Sequence, residues 1–162
     1  MICLGDSLDL NFEVKVGIDG KKTARVFNDL IEGPTLVSVY MRNNTSSCDK
    51  QMISLVTAYD AIRAKHFAVL GVSRDTVGPH LKYAAKHEIE FPLVSDPDYG
   101  FARATDSLVE KKLYGRAYVG PSRSAYAIDR DGNVLAICEK VDPANHGEQL
   151  LSLIEGLWNS DR

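Results

Sequence analysis

The sequence predicts an α/β fold in which a central mixed sheet is flanked by helices. Residues 35–41 and 67–73 are apolar nearly throughout, which is typical of strands covered on both faces. Between them lies an amphipathic helix whose apolar residues recur at helical spacing: Met52, Leu55, Val56, Tyr59 and Ile62. This strand–helix–strand order predicts two parallel strands joined by a right-handed crossover.

A β-hairpin is predicted before this unit. Apolar and polar residues alternate over 14–18, the turn signal Asp19-Gly20 follows, and a strand returns over 23–27. Asn28 is then expected to cap a short helix that ends at Gly33-Pro34.

After the crossover, helices and a short strand alternate. Asp75-Thr76 starts a helix that tolerates Pro79 in its first turn. Residues 91–94 are a short strand candidate, and residues 99–108 are predicted to be helical.

A second hairpin and a final helix are predicted at the C-terminal end. The strands cover residues 125–129 and 134–141. Asn145 is expected to cap the helix, with Glu148 as the second half of a capping box. The buried stripe of that helix is Leu150, Leu151, Ile154, Leu157 and Trp158. A βαβ unit followed by a ββα unit is the arrangement of a thioredoxin-like domain, so we interpret residues 1–162 as one such domain with an N-terminal hairpin extension.

Composition excludes several classes of function. The chain has 162 residues, of which 44% are hydrophobic and 25% charged, close to ordinary globular usage. A net charge of −3 does not favour a nucleic-acid-binding surface. No apolar run approaches the roughly 20 residues that span a bilayer, and the N-terminus lacks the pattern of a signal peptide. We therefore expect a cytoplasmic protein without nucleic-acid or membrane partners.

The cysteines and histidines do not form a metal or disulfide pattern. Cys3, Cys48 and Cys138 are odd in number, and no two have C-x-x-C spacing. No histidine pair has zinc spacing, so no metal is expected. We interpret all four histidines as surface or capping residues: His66, His80, His87 and His146.

Cys48 follows a buried strand and a polar loop, at the predicted start of a helix. The first turn of a helix presents unpaired N–H groups and partial positive charge, which favour a thiolate. A lone thiolate beside hydroxyl and N–H donors can attack a peroxide oxygen and become a sulfenic acid, which a second thiol can reduce. The alternative is an inert buried cysteine. Position alone weights the two interpretations equally.

Segments along nearly the whole chain carry a family resemblance when they are taken in order. They are Gly5-Asp6, Asp19-Gly20-Lys21, residues 71–75, 91–98 and 110–116, Gly120, Arg123-Ser124 and residues 128–132. In this order and spacing the chain resembles the peroxiredoxins, and within them the bacterioferritin comigratory protein (Q-type) group of the alkyl hydroperoxide reductase/thiol-specific antioxidant family. The resemblance implies a thioredoxin-like fold and a thiol-dependent peroxidase that reduces hydrogen peroxide or organic hydroperoxides without a bound cofactor.

The resemblance also implies the roles of three residues. Thr45 and Cys48 match the family's threonine and peroxide-attacking cysteine, and Arg123 matches the arginine beside the thiolate. Thr45 and Arg123 would orient the peroxide, and Arg123 would help keep Cys48 ionised. Gln51 stands where the family often has glutamate, and glutamine can substitute for it.

The chain departs from the family pattern around these residues. Met41 stands in place of a proline that shields the cysteine, Ser46-Ser47 replace the usual Pro-Gly, and Asn43-Asn44 replace an acidic pair. The second cysteine is missing from its two common places, which hold Ile53 and Ala84. We therefore expect a one-cysteine cycle with an external thiol reductant: thioredoxin, glutaredoxin or a low-molecular-weight thiol.

Several alternatives remain at this point. A disulfide from Cys48 to Cys3 or Cys138 is less favoured than the one-cysteine cycle. The substitutions around Cys48 motivate a second function, a redox-sensing or binding protein with weak or lost peroxidase activity. A third is a Cys–His acyl-transfer enzyme. Lys111 and Lys112 are interpreted as a solvated face, and the protein as a monomer or homodimer.

Overall fold

The computed structural model describes residues 2–160, without the side chains of Leu113 and residues 158–160, so Trp158 of the predicted stripe lies outside the described side chains. The strands are β1 (Glu13–Ile18), β2 (Lys21–Val26), β3 (Thr35–Val39), β4 (Ala68–Ser73), β5 (Leu93–Ser95), β6 (Leu108–Leu113), β7 (Arg116–Pro121), β8 (Ser124–Ile128) and β9 (Val134–Cys138). The α-helices are α1 (Ser46–Ala64), α2 (Val77–His87), α3 (Gly100–Ala104) and α4 (His146–Ser160). Short 3-10 helices cover Phe27–Leu30 and Pro143–Asn145.

Seven strands form one mixed sheet in the order β2-β1-β5-β4-β3-β8-β9. β3, β4 and β5 are parallel, while β1–β2, β1–β5, β3–β8 and β8–β9 pair antiparallel. The predicted crossover through α1 and both predicted hairpins of this sheet are confirmed. The continuous apolar segments form its centre, and all five residues of β3 are buried.

Each face of the sheet has its own core. On one face, helices α1 and α4 cover large buried side chains, among them Leu36, Met52, Leu55, Ile62 and Leu150. On the other face, the N-terminal segment, the first 3-10 helix and α3 cover Val37, Phe27, Phe101, Tyr126 and Ile128. A fully buried apolar side chain contributes roughly 1.5–3 kcal/mol, so the two layers together hold the strand ends in place.

A close contact between α1 and α4 requires a glycine. Gly147 donates its backbone N–H to Ser54 Oγ at 2.9 Å. A Cβ atom added at Gly147 would overlap the Ser54 backbone oxygen and the Ala58 side chain. This contact lets the first turn of α4 lie directly on α1, and it brings His146 against the sheet.

Two predicted helix caps are wrong. Asn28 lies inside the first 3-10 helix, because its backbone N–H is already bonded to Leu10 O at 3.0 Å. Asn145 ends the second 3-10 helix and donates its side-chain amide to Asp142 Oδ2 at 2.9 Å. Asp142 is the cap of that segment, since its carboxylate accepts the Ala144 N–H.

The helix predicted over residues 99–108 is much shorter. α3 ends at Ala104, because the Thr105 hydroxyl binds back to Phe101 O at 2.8 Å and Asp106 adopts a left-handed φ of 50°. Leu108 then begins β6.

Strands β6 and β7 form a separate two-stranded sheet that the sequence did not predict. Their turn is Tyr114-Gly115, both with left-handed φ values of 52° and 77°. No described helix is both long and apolar enough to cross a membrane.

Candidate active site

Cys48 lies in the first turn of α1 and is 1% exposed. A loop of residues 40–45 joins β3 to the helix, with Thr45 as the N-terminal cap residue. A bond of 2.8 Å from Asp49 N–H to Thr45 O closes the first turn, so the N–H groups before Asp49 have no helical acceptor. The thiol therefore lies at the positive end of a 19-residue helix.

Arg123 follows Cys48 by 75 residues in the sequence but lies beside it in the fold. β8 runs antiparallel to β3, with Ser124 opposite Val39, so the residue before β8 lies at the edge of the sheet where α1 begins. Arg123 directs Nη2 to Cys48 Sγ at 3.4 Å. Its Nη1 is buried without a partner among the described residues. A guanidinium at this distance stabilises negative charge on the sulfur.

Thr45 is held in the loop before the helix. Its hydroxyl donates to Arg42 O at 3.0 Å and makes no cap bond to the helix. Because the proton is used by Arg42, the lone pairs of Thr45 Oγ1 remain for a donor such as a peroxide O–H.

A buried polar network lies beneath this loop. Tyr40 donates its hydroxyl to Asn43 Oδ1 at 2.7 Å, and Asn43 Nδ2 lies 3.2 Å from His80 Nδ1. His80 Nε2 lies 3.1 Å from Val94 O, which fixes the proton on Nε2 and makes Nδ1 the acceptor. The backbone N–H of Asn43 also donates to Asp75 Oδ2 at 2.9 Å. Burial lowers the pKa of His80, so the network holds the loop through a neutral imidazole.

A second buried network links α1, β3 and α4. Gln51 Nε2 donates to Ser38 Oγ at 2.9 Å and to Val39 O at 3.2 Å. Ser38 Oγ lies 2.8 Å from His146 Nε2. Ser38 Oγ can accept from Gln51 and also share a hydrogen bond with His146 Nε2, because a hydroxyl has one proton and two lone pairs. His146 Nδ1 is buried without a partner among the described residues. Burial, aided by the charge of Arg123, lowers the pKa of His146 to about 4.

These two networks correct the interpretation of the histidines. His80 and His146 are both 0% exposed and are neither surface nor capping residues. Their ring nitrogens are directed at Asn43, Val94 and Ser38, so neither acts as a base on Cys48. This arrangement does not favour the Cys–His acyl-transfer alternative.

The structure also corrects the interpretation of Lys111 as part of a solvated face. It is half-buried, and its Nζ lies 2.8 Å from Met41 Sδ, whereas Lys112 is exposed as expected. Burial lowers the pKa of Lys111, the charge of Arg123 acts in the same direction, and Cys48 acts in the opposite one. Lys111 therefore belongs to the electrostatic surroundings of Cys48. Met41 packs against the core cluster that contains Cys48.

Of the other two cysteines, Cys138 packs against the core cluster that contains Cys48. Cys138 is half-buried at the end of β9, opposite Ala125 of β8, and burial raises the pKa of its thiol. Cys3 is exposed near the N-terminus. Ile53 is exposed and Ala84 is half-buried at the positions where the family carries a second cysteine. Among the described residues, no group of three or more His, Cys, Asp or Glu side chains could hold a metal ion.

Comparison with known proteins agrees with this geometry. The model of the AhpC/TSA family matches residues 8–137. Peroxiredoxin Bcp of Xanthomonas campestris pv. campestris is 33% identical over 123 residues, 74% of this chain and 75% of that protein. Peroxiredoxin Bcp of Bacillus subtilis is 26% identical over 118 residues, 73% of this chain and 75% of that protein.

Solved structures give the same relationship. A Xylella fastidiosa PrxQ mutant superposes with a TM-score of 0.84 at 26% identity, over 96% of this chain and 97% of that one. The bacterioferritin comigratory protein of Xanthomonas campestris, solved to study its alkyl peroxide reduction activity, gives a TM-score of 0.80 at 25% identity, over 91% and 96% of the two chains. This chain therefore belongs to the AhpC/TSA family and is a thiol-dependent peroxidase of the peroxiredoxin type.

Proposed function

We propose that the chain reduces hydrogen peroxide and alkyl hydroperoxides at Cys48, with Thr45 and Arg123 as its catalytic partners and an external thiol as the reductant. The observation that carries the proposal is the 3.4 Å contact between Arg123 Nη2 and Cys48 Sγ in the first turn of α1. Two independent sources of positive potential, the guanidinium and the helix end, meet at this one sulfur.

The oxidation step follows from these contacts. The Cys48 thiolate attacks the terminal oxygen of the hydroperoxide, an S–O bond forms, and the O–O bond breaks. The departing alkoxide takes up a proton and leaves as an alcohol, or as water when the substrate is hydrogen peroxide. Arg123 and the free N–H groups of the helix stabilise the charge that develops on the departing oxygen. Thr45 Oγ1 accepts the hydroperoxide O–H, since its own proton is bonded to Arg42 O.

The buried networks support the site without changing charge. The Val39 carbonyl and the Ser38 hydroxyl fix the amide orientation of Gln51, whose Oε1 is buried without a described partner. Arg123 Nη1 is also buried without one. A carbonyl oxygen and a guanidinium nitrogen are complementary as acceptor and donor. We propose that Gln51 Oε1 accepts from Arg123 when the peroxide displaces the guanidinium from the sulfur.

The reduction step needs a thiol from outside the chain. Ile53 and Ala84 supply no thiol at the usual positions. A one-cysteine cycle with thioredoxin, glutaredoxin or a low-molecular-weight thiol as reductant accounts for this pattern. We place the enzyme in the cytoplasm, where such thiols are kept reduced, as a monomer or homodimer.

The proposal is tested by steady-state consumption of cumene hydroperoxide with dithiothreitol as the reductant. The Cys48→Ser variant should lose turnover, while a Cys3→Ser/Cys138→Ser double variant should keep it. Intact mass after one equivalent of peroxide should show the gain of one oxygen.

Other results would contradict parts of the proposal. Loss of two hydrogens in the oxidised wild-type protein would identify an internal disulfide and overturn the one-cysteine cycle. Turnover that survives in Cys48→Ser would overturn the assignment of the nucleophile. Absence of turnover in the wild type, with slow oxidation of Cys48, would favour the redox-sensing or binding function.

A further inference from the structure

We propose that a cationic cavity beside Cys48 binds the carboxylate groups of a low-molecular-weight thiol, which is the reductant of the Cys48 sulfenic acid. The inference rests on the proposed function and names the class of molecule that completes its cycle. We define the cationic cavity by Arg42, Arg74 and Lys111, with Tyr99, Tyr118 and Met41 completing its walls.

The cavity has the size of a small-molecule site. Its volume is about 350 Å³, within the usual range of ligand clefts. The loop before α1 contributes Arg42, the end of β4 is followed by Arg74, and the β6–β7 hairpin contributes Lys111 and Tyr118. The unpredicted hairpin therefore forms one wall.

Three positive charges border this space without acidic partners. No described carboxylate forms an ion pair with Arg42, Arg74 or Lys111; the ion pairs in the described part of the chain are Arg63–Asp60 and Lys65–Glu155. The nearest acid in sequence, Asp75, directs Oδ2 to Ser73 and to the Asn43 N–H. Like charges in one concave space attract an anion, which relieves their mutual repulsion. Two tyrosine rings add the aromatic lining that is common in clefts for organic ligands.

The cavity is connected to Cys48 through three of its residues. Met41 packs against the core cluster that contains Cys48 and touches Lys111 Nζ through its sulfur at 2.8 Å. The charge of Lys111 interacts with those of Cys48 and Arg123. The carbonyl of Arg42 also binds the Thr45 hydroxyl, which lies three residues before Cys48. A ligand held by its carboxylate at these cations can direct its other end to the active site.

The burial of Cys48 favours a small thiol over a protein thiol. The side chain is 1% exposed and does not line the cavity, so any thiol needs a local opening to reach the sulfur. A molecule that fits in about 350 Å³ needs a smaller opening than the cysteine of a folded protein does. The absence of a cysteine at positions 53 and 84 is consistent with an incoming thiol.

The chemistry is balanced by two molecules of the thiol. The first attacks the Cys48 sulfenic acid sulfur, an S–S bond forms, the S–O bond breaks, and water leaves. The second attacks the mixed disulfide and releases the Cys48 thiol together with the disulfide of the reductant. Two thiols are thus oxidised for each hydroperoxide reduced.

The test compares a thiol that carries carboxylates with its ester, which carries none. Protein converted to the sulfenic acid with one equivalent of hydrogen peroxide is mixed with glutathione or with glutathione diethyl ester, and the rate of mixed-disulfide formation is followed by stopped flow. We expect glutathione to react about tenfold faster than the ester, and an Arg42→Gln/Arg74→Gln variant to lose this preference. Lys112→Gln/Arg116→Gln, which removes two exposed charges of the same hairpin outside the cavity, should keep it.

Two outcomes overturn the proposal. Equal rates for the two thiols in the wild type would show that the cavity does not select a carboxylate. The second outcome concerns hydroperoxides with and without a carboxylate. If the Arg42→Gln/Arg74→Gln variant lost a preference for the carboxylate-bearing hydroperoxide but kept its preference among thiols, the cavity would be assigned to the peroxide.

A binding measurement separates this proposal from the proposed function. S-methylglutathione, which has no free thiol, should bind to the Cys48→Ser protein in isothermal titration calorimetry and should not bind once Arg42→Gln/Arg74→Gln is added. Absence of binding to Cys48→Ser overturns the cavity proposal even if Cys48 is a fast peroxidase. Binding together with a peroxide-inert Cys48 in the wild type overturns the proposed function instead.

Discussion

The polar groups beneath the Cys48 loop differ in both charge and pairing from those of the cationic cavity beside it. His80, His146 and Gln51 are 0% exposed, hydrogen-bonded and neutral. Arg42 and Arg74 are exposed, charged and without described acidic partners. Burial of an unpaired charge costs several kcal/mol, so the interior supports the loop with neutral groups. The comparison teaches that neutral buried groups position Cys48, whereas cations outside the interior supply its positive surroundings. The charge of Arg123 acts on both sets.

Removal of Arg123 should have the largest effect on the reaction of Cys48 with peroxide, because it removes the charge that faces the sulfur. We expect Arg123→Met to lower the second-order rate constant of Cys48 with peroxide by about 10²–10³-fold, the usual loss when one preorganised donor is removed. Stopped-flow kinetics measure this. The matched control is Arg116→Met, which removes an exposed guanidinium from β7. A rate within about twofold of the wild type in Arg123→Met would contradict the assigned role.

His146 tests whether the interior is kept neutral. The pKa of His146 falls from 6.5 to about 4 on folding, because burial disfavours the imidazolium. Below pH 6.5 the unfolded chain takes up a proton that the folded protein excludes, so the free energy of unfolding should fall by about 3 kcal/mol between pH 6.5 and 4. Chemical denaturation of the wild type and of His146→Gln measures the slope, from which the variant should lose the part due to His146 and keep the part due to His80.

One control variant makes that measurement specific to His146. His66 is exposed, so His66→Asn should keep the wild-type slope. Burial raises the pKa of Asp96, which stabilises the fold as pH falls, but this opposite effect is common to all three proteins. An unchanged slope in His146→Gln would mean that His146 is not the group that is kept neutral.

Gly147 tests the packing that places His146. Gly147→Ala should lower the free energy of unfolding by about 1–3 kcal/mol, since the added Cβ overlaps Ser54 and Ala58 of α1. Gly156→Ala in the same helix meets no atom within 4 Å and should raise the stability by about 0.5–1 kcal/mol. Urea denaturation compares them. Equal effects of the two substitutions would rule out the close approach of α4 to α1.

Thr45 gives the smallest expected effect. Thr45→Val removes the lone pairs offered to the peroxide and the bond to Arg42 O, and we expect about a tenfold lower rate of sulfenic acid formation. Thr45→Ser should restore the rate because it keeps the hydroxyl. If valine were as fast as serine, the hydroxyl would have no part in the oxidation step.

Much of the fold could be predicted because long periodic segments report burial directly. The two apolar strands, the crossover helix and the Asp19-Gly20 turn are set by local sequence. The β6–β7 hairpin escaped prediction because its strands are mostly exposed and its Tyr114-Gly115 turn lacks a strong signal. Asn28 and Asn145 have the chemistry of caps, yet a tertiary bond to Leu10 decides the role of the first and a local bond to Asp142 that of the second.

The residues of the site also differ in whether local sequence predicts them. The position of Cys48 is visible locally, since a strand, a polar loop and a helix follow one another. Arg123 has no local signal and emerged only from the family resemblance, because the β3–β8 pairing brings it to a cysteine 75 positions away in the sequence. His80, His146 and Lys111 were missed because their partners, Val94, Ser38 and Met41, are distant in sequence.

The central claim is that its surroundings make Cys48 the peroxide-reactive thiol of this chain. Its most direct test is peptide-resolved mass spectrometry of the reduced protein after one equivalent of cumene hydroperoxide, quenched within seconds with dimedone. The account predicts a dimedone adduct at Cys48 that accounts for the added equivalent, with Cys3 and Cys138 unmodified. Oxidation of Cys138 or Cys3 as fast as that of Cys48 would contradict it.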